Sequence, residues 1–194
     1  MRDDMRLEGK YIVLEEISPK YFKYVIDWRN DPELNKFLNQ PFKLTMELEQ
    51  NWYENKYLKD DTQGLWVILD KATNTPVGTV GWTDFDYANK RLIGGRLLFG
   101  DEKFTRHPGF LESHFLHADY LYKFADIEYA HIVAENHKAI HLNEITGFAI
   151  NTGKIQYPNE LFVNGMKQIE FYRTKEMYLE ARKKVFERIF KRRM

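Results

Sequence analysis

The run from Leu65 to Phe99 constrains the fold more than any other stretch. Leu65-Trp-Val-Ile-Leu69 and Pro76-Val-Gly-Thr-Val-Gly-Trp82 are rich in β-branched and aromatic residues, with the turn residues Lys71-Ala-Thr-Asn-Thr75 between them. That pattern predicts a hairpin. Arg91 to Phe99 is a third strand and carries the pair Gly94-Gly95; glycines inside a strand mark a bulge or a close backbone approach. Tyr11 to Glu15 is a strand ahead of this group.

Helical spacing surrounds the strands. Ser18-Pro19 starts a helix, with Ser18 as N-cap and Pro19 at the first position, and Tyr21, Phe22, Val25, Ile26 and Trp28 form its stripe up to the break at Asp31-Pro32. Thr45 caps a second helix through about Tyr57, with Leu48, Trp52 and Tyr53 as its apolar side. A third helix runs to about Phe124, followed by a strand over Tyr129 to Ala134 and a short helix over Lys138 to Ile145 that Gly147 ends. Glu160 to Val163, the turn Asn164-Gly165 and Met166 to Tyr172 form a closing hairpin, and Thr174 caps a last helix. The expectation is a single α+β domain over residues 1–194, a mixed sheet flanked by helices, with its core at about 10–180 and the last helix at about 175–192.

Composition narrows the function classes. Lys+Arg and Asp+Glu are equal at 29 each, so no global field draws in nucleic acid or anionic lipid. The basic residues Arg182-Lys183-Lys184 and Lys191-Arg192-Arg193 sit where cations complement a helix dipole. Cysteine is absent, which removes disulfides, thiol nucleophiles and cysteine-based metal sites. No apolar run reaches the ~18 residues of a membrane span, and the first residues lack the apolar core of a signal peptide. The expected location is cytoplasmic.

Chemistry concentrates in FGDEKFTRHPGFLESHF, residues 99 to 115. Pro108-Gly109 reads as a plain turn. It also reads as an anion-binding loop, because the backbone N–H groups that open a helix favour phosphate. His114 and His117 share a helix face, as do His137 and His141, but no third ligand or zinc motif accompanies them, so no metal is expected.

Four elements in this order resemble the GNAT superfamily of acetyl-CoA-dependent N-acetyltransferases, and in particular its ribosomal-protein N-terminal and sugar-nucleotide branch. They are Trp28-Arg29-Asn30-Asp31-Pro32, Pro76-Val-Gly-Thr-Val-Gly81, the element Asn136-His-Lys-Ala-Ile-His-Leu-Asn-Glu-Ile-Thr-Gly147-Phe148, and the final hairpin and helix. The resemblance implies a central mixed sheet splayed at the cofactor site, with acetyl-CoA as co-substrate. It implies that Arg106, His107, Gly109 and Phe110 hold the pyrophosphate, that Leu97, Leu98 and Phe99 face the acetyl carbonyl, and that Asn136 reaches the cofactor from the opposite strand. An amine then attacks directly, with an oxyanion met by a strand N–H.

The same resemblance puts Trp28, Arg29 and Asn30 on the acceptor side. Asn143 stands where many relatives carry the tyrosine that protonates the departing thiolate. Ile93 stands where a glutamate base is frequent; the candidate replacements are Asp84 and Asp86, which follow the third strand, and behind them Glu102 and His107. The implied acceptor is a primary amine: an amino sugar or sugar nucleotide, a protein N-terminus, an antibiotic amine or a polyamine. The aromatic content favours the stacked ring of a sugar or nucleotide. A homodimer through the final strands or last helix is compatible with the family. Leu111, Pro108, Ile93 and Asn143 depart from the family pattern, and support an alternative in which the chain is a catalytically impaired binding or regulatory module.

Overall fold

Three consecutive apolar residues, Ile12 to Leu14, anchor a hairpin near the start of the chain in the computed structural model, which describes residues 5–38, 40–163 and 165–191. β1 (Arg6–Glu8) runs antiparallel to β2 (Ile12–Glu16), with Leu7 opposite Leu14. β1 was not expected from the sequence: charged at two of its three positions, it is a strand only because β2 pairs with it. A 3-10 turn at Pro19–Tyr21 leads into α1 (Phe22–Asn30), and Ser18 makes no side-chain cap bond there. Asp31 Oδ1 accepts from the backbone N–H of Glu33 (2.8 Å) and Leu34 (3.3 Å), which starts the short α2 (Pro32–Asn35).

Thr45 Oγ1 accepts from Leu48 N at 3.2 Å and caps α3 (Met46–Trp52), which continues as a π-helical turn through Tyr57. Its inward stripe is Glu49, Trp52, Tyr53 and Tyr57, whereas Leu48 is exposed. The helix is turned so that an acid, and not the leucine, faces the sheet.

β3 (Gly64–Asp70), β4 (Thr75–Asp86) and β5 (Arg91–Phe99) are antiparallel neighbours. α4 (Pro108–Leu121) then crosses over to β6 (Ile127–Val133), which lies parallel to β5. α5 (His137–Ile145) ends at Gly147, whose φ of 97° is the left-handed conformation of a helix C-terminus. β7 (Ala149–Ile150), β8 (Phe162–Val163), β9 (Met166–Thr174) and α6 (Lys175–Lys191) complete the fold. Thr174 Oγ1 accepts from Met177 N at 3.3 Å, as its capping role requires. Asn164 of the expected Asn-Gly turn, and Arg192 and Arg193 of the basic tail, lie outside the described residues.

The strand order is β1-β2-β3-β4-β5-β6-β9-β7, with β8 paired to β9. One face packs on α4, where Trp66, Ile68, Val80, Trp82 and Leu92 meet Tyr120 and Leu121. The other face carries Val13, Leu65 and Val67 against Phe22, Val25 and Tyr57. Full burial of a large apolar side chain contributes roughly 1.5–3 kcal/mol, and Trp66 and Trp82 are both completely buried. Ala118, Tyr122 and Tyr178 pack between α4 and α6, and Ala130, Ile132 and Phe171 lie under α5. No helix among the described residues is long and apolar enough to cross a membrane.

The feature that makes a site is the way β5 leaves its neighbours. It pairs with β6 only at Arg91–Ile127, Leu92–Glu128 and Ile93–Tyr129. Beyond that point the two parallel strands diverge. On its other edge Thr79 faces Leu98 and Gly81 faces Gly95, so two steps along β4 match three along β5. The extra residue is a β-bulge, absorbed by Arg96 at φ 51°, a left-handed conformation that disfavours side chains. Gly94 is required by contact: a Cβ there would overlap the Glu128 carboxylate.

Candidate active site

The diverging ends of β5 and β6 bound a groove. Leu97 to Phe99 form one wall, and Thr79 Oγ1 donates to Arg96 O at 2.8 Å, which fixes the bulge from behind. Phe99 stacks on Phe104 (5.6 Å between centroids) and packs against Phe110 (5.0 Å), so the strand end and the following loop form one aromatic cluster. The loop makes a 3-10 turn at Glu102–Arg106, capped by Asp101, whose Oδ1 accepts from Lys103 N at 2.8 Å.

His107 is the N-cap of α4. Its Nδ1 accepts from Gly109 N at 3.2 Å, and its ring is wedged between Phe104 (4.8 Å) and Tyr11 (5.8 Å). Pro108 takes the first helical position, where the missing N–H would have no intrahelical partner. Gly109 is buried, and a Cβ there would come within 2.5 Å of Ile12 Cγ2. The glycine therefore serves the close packing of α4 on β2, and its N–H is already taken by His107. Arg106 is exposed at the end of the 3-10 turn.

Asn136 caps α5 on the facing wall, accepting from Ala139 N at 3.2 Å. An ion pair between Lys138 of α5 and Glu102 of the loop joins the two walls. Leu97, Leu98, Phe99, Arg106, His107, Gly109 and Phe110 thus follow one another from the end of β5 into α4, and the Lys138–Glu102 pair brings the start of α5, with Asn136, to the same loop. Asn143 lies on the same helix as Asn136, with its Nδ2 donating to Ala139 O at 2.9 Å and its Oδ1 left to accept.

Trp28, Arg29 and Asn30, expected on the acceptor side, form a knot at the end of α1. Trp28 lies against the chain at Gly100, where a Cβ would overlap its indole. Asn30 Oδ1 accepts from Leu44 N and its Nδ2 donates to Leu44 O, both at 2.8 Å. Arg29 Nε donates to Gln40 Oε1 at 2.6 Å, while Gln40 and Asn35 donate to Arg29 O. Burial lowers the proton affinity of the Arg29 guanidinium, and Glu49 opposes that shift. Burial likewise raises the Glu49 carboxyl above its ordinary range, against the pull of Arg29 and Arg96. Glu49 and Arg96 were not read from the sequence. Spacing by three, four and eight to Trp52, Tyr53 and Tyr57 was the available signal for Glu49, and the glycine pair before it was the signal for Arg96.

The two aspartates have different surroundings. Asp86 accepts from Ala88 N, from Asn89 N and Nδ2, and from Arg91 Nε. The Asn89 and Arg91 bonds hold its carboxyl below the usual range. Asp84 is exposed on β4 at φ 55°, its carbonyl accepting from Tyr157 OH at 3.5 Å and its charge acting on Arg96. His117 is buried and His114 half-buried with its Nε2 enclosed, and desolvation chiefly depresses their proton affinities, to about 4 and about 3 respectively. No group of three or more potential metal ligands exists among the described residues.

Comparisons with known proteins bear on this geometry. Residues 12–149 match the family model of the acetyltransferase (GNAT) domain. No protein of curated function matches the sequence. The fold is similar to spermidine N-acetyltransferase from Vibrio cholerae, solved with CoA and spermine (TM-score 0.72, 19% identity, 88% of this chain and 99% of that one). It is also similar to a GCN5-related N-acetyltransferase from Brucella melitensis (0.75, 18%, 93% and 83%). A nucleotide-linked sugar GNAT solved without ligand gives 0.73, at 16% identity over 93% and 96% of the two chains. At these identities the likeness is one of fold.

Proposed function

Because this chain belongs to the GNAT acetyltransferase family, an acyl-CoA-dependent N-acetyltransferase family with acetyl-CoA as donor, we propose that it acetylates a primary amine on a small molecule. An amino sugar or sugar nucleotide is favoured over a protein N-terminus. The observation that carries this reading is the divergence of β5 from β6 beyond Ile93–Tyr129, next to the bulge at Gly95-Arg96. Parted parallel strands expose main-chain donors and acceptors that a sheet otherwise consumes. An extended pantetheine chain fits such a gap by adding hydrogen bonds as a strand would.

The chain's own residues have distinct tasks in this proposal. Leu97 has no register partner on β4 or β6, so its N–H is the candidate donor to the acetyl carbonyl oxygen, where negative charge develops during attack. Arg106 and the exposed turns of the loop meet the phosphates as charge-assisted donors. His107 acts as a positioning residue that fixes the start of α4. Asp84 takes the amine proton: it is exposed on the acceptor side of β4, whereas Asp86 is consumed by its own turn. Asn136 holds the first turn of α5, and Asn143 offers a hydrogen bond on the thiol side without supplying a proton.

Release of CoA thiol from acetyl-CoA across a panel of amino sugars, sugar nucleotides, polyamines and peptides tests the reading. Amine-dependent release with an amino sugar or sugar nucleotide supports it. Release only with peptides or polyamines corrects the acceptor. Tight acetyl-CoA binding with no release from any amine overturns the enzymatic reading and favours a binding module.

A further inference from the structure

Arg96 is an unusual residue for its position. A left-handed bulge position is strained unless it holds glycine or asparagine, yet this one carries a long cationic side chain. Its main chain stands one residue from Leu97. Its side chain runs along the sheet face that α1 and α3 cover, into a cleft of about 480 Å³ walled by Trp52, Asn55, Lys56, Lys59 and Gln63. Arg96 Nη2 donates to Gln63 Oε1 at 2.6 Å, and the guanidinium lies 5.7 Å from the Trp52 ring. Nη1 is buried and has no hydrogen-bond partner among the described residues. A buried charged donor left unmet is costly unless a ligand completes it.

The cleft is lined by three cations, Lys56, Lys59 and Arg96, against one acid, Asp60. Lys59 donates to the neutral Asn55 Oδ1 at 2.9 Å. The acid beside them, Asp60, is engaged by Thr62 and by Gln63 Nε2. Glu49 is shared between Arg29 and Arg96 and so neutralises one of the two. Burial lowers the Arg96 proton affinity to about 10, which leaves it charged at neutral pH. We propose that this cleft is an acceptor subsite for an oxyanion, a phosphate or a carboxylate, carried on the same molecule as the reacting amine. The Trp52 face adds a platform for a ring. A polyamine, cationic along its length, meets repulsion here. This assignment deepens the acetyltransferase reading and rests on it for the position of the amine, but not for the binding of the anion.

The test is calorimetric, on the full chain saturated with CoA so that the donor groove is filled. Glucosamine, glucosamine 6-phosphate, glucosaminic acid and spermidine are titrated in turn into wild type, R96Q and K56A. At least one of the two anionic sugars binds at least tenfold more tightly than glucosamine; the better of them identifies phosphate or carboxylate. R96Q loses that preference and K56A weakens it, while both keep wild-type CoA affinity. The subsite is overturned if glucosamine or spermidine binds as well as both anionic sugars. It is equally overturned if neither anionic sugar binds, or if both variants keep the full preference. Absence of CoA binding in wild type strikes at the acetyltransferase reading instead, and the same sugars titrated into the ligand-free protein still decide the anion.

Discussion

Arg173 Nη2 donates to Glu128 Oε2 at 2.5 Å and Nη1 donates to Thr146 O at 2.7 Å, with all three groups buried. Glu128 in turn fills the space that Gly94 leaves open at the apex of the groove. Removing one partner of a buried pair leaves the other charge uncompensated, which costs about 3–5 kcal/mol. Glu128→Ala is therefore expected to lose that much in urea unfolding, more than any aspartate-to-asparagine change in the exposed loops. The two aspartates separate by readout. Asp84→Asn should lower kcat by about 10²-fold with acetyl-CoA affinity unchanged, whereas Asp86→Asn, which weakens the Asn89 and Arg91 bonds, should lower thermal stability first. Equal kcat for wild type and Asp84→Asn in steady-state assays would leave the proton transfer to water.

At the scale of elements, α4 carries a pH dependence. His114 and His117 face the sheet with their Nε2 atoms buried and unpartnered, and both are neutral in the folded state. Above pH 6.5 this makes no difference to stability. As pH falls from 6.5 toward about 4, the unfolded chain takes up protons that the buried rings refuse. Stability then declines by roughly 1.4 kcal/mol per unit for each histidine. The two together are expected to cost about 3 kcal/mol between pH 7.5 and 5.5, measured from urea midpoints, and the double variant with glutamine should flatten that slope. A slope that survives the double variant would assign the acid loss elsewhere. Glu170 adds to the decline at lower pH. Bonds from Gln156 and Tyr157 N–H, Asn151 and His131 outweigh its burial and hold its carboxyl below the ordinary range. Its contribution is present above the unfolded carboxylate value and is lost as pH falls through the depressed one.

The whole molecule shows which parts were legible before any coordinates. Most strands and helices between β2 and α6 follow from periodicity, caps and breakers, because Asp31, Thr45, Gly147 and Thr174 act locally. β1, α2 and β7 did not: β1 is short and charged, α2 is a single turn started by the Asp31 cap, and β7 pairs with β9 far along the chain. The Gly94-Gly95 pair pointed to a bulge or close approach and both occur, but the partners, Glu128 and the cleft at Arg96, are set by tertiary packing. Leu48 and Glu49 show the same limit: a one-residue rotation of α3 exchanges an apolar face for a buried acid. At residues 106 to 110 Pro108-Gly109 is no free-standing turn: it begins α4, and Gly109 is held by packing against Ile12.

A donor site in the groove between β5 and β6 is tested most directly by calorimetric titration with acetyl-CoA. Such a site predicts saturable one-to-one binding with a Kd well below about 1 mM, weakened about tenfold in Arg106→Ala, which loses a charge-assisted contact. No heat of binding at near-millimolar acetyl-CoA, from protein shown to be folded, would contradict it.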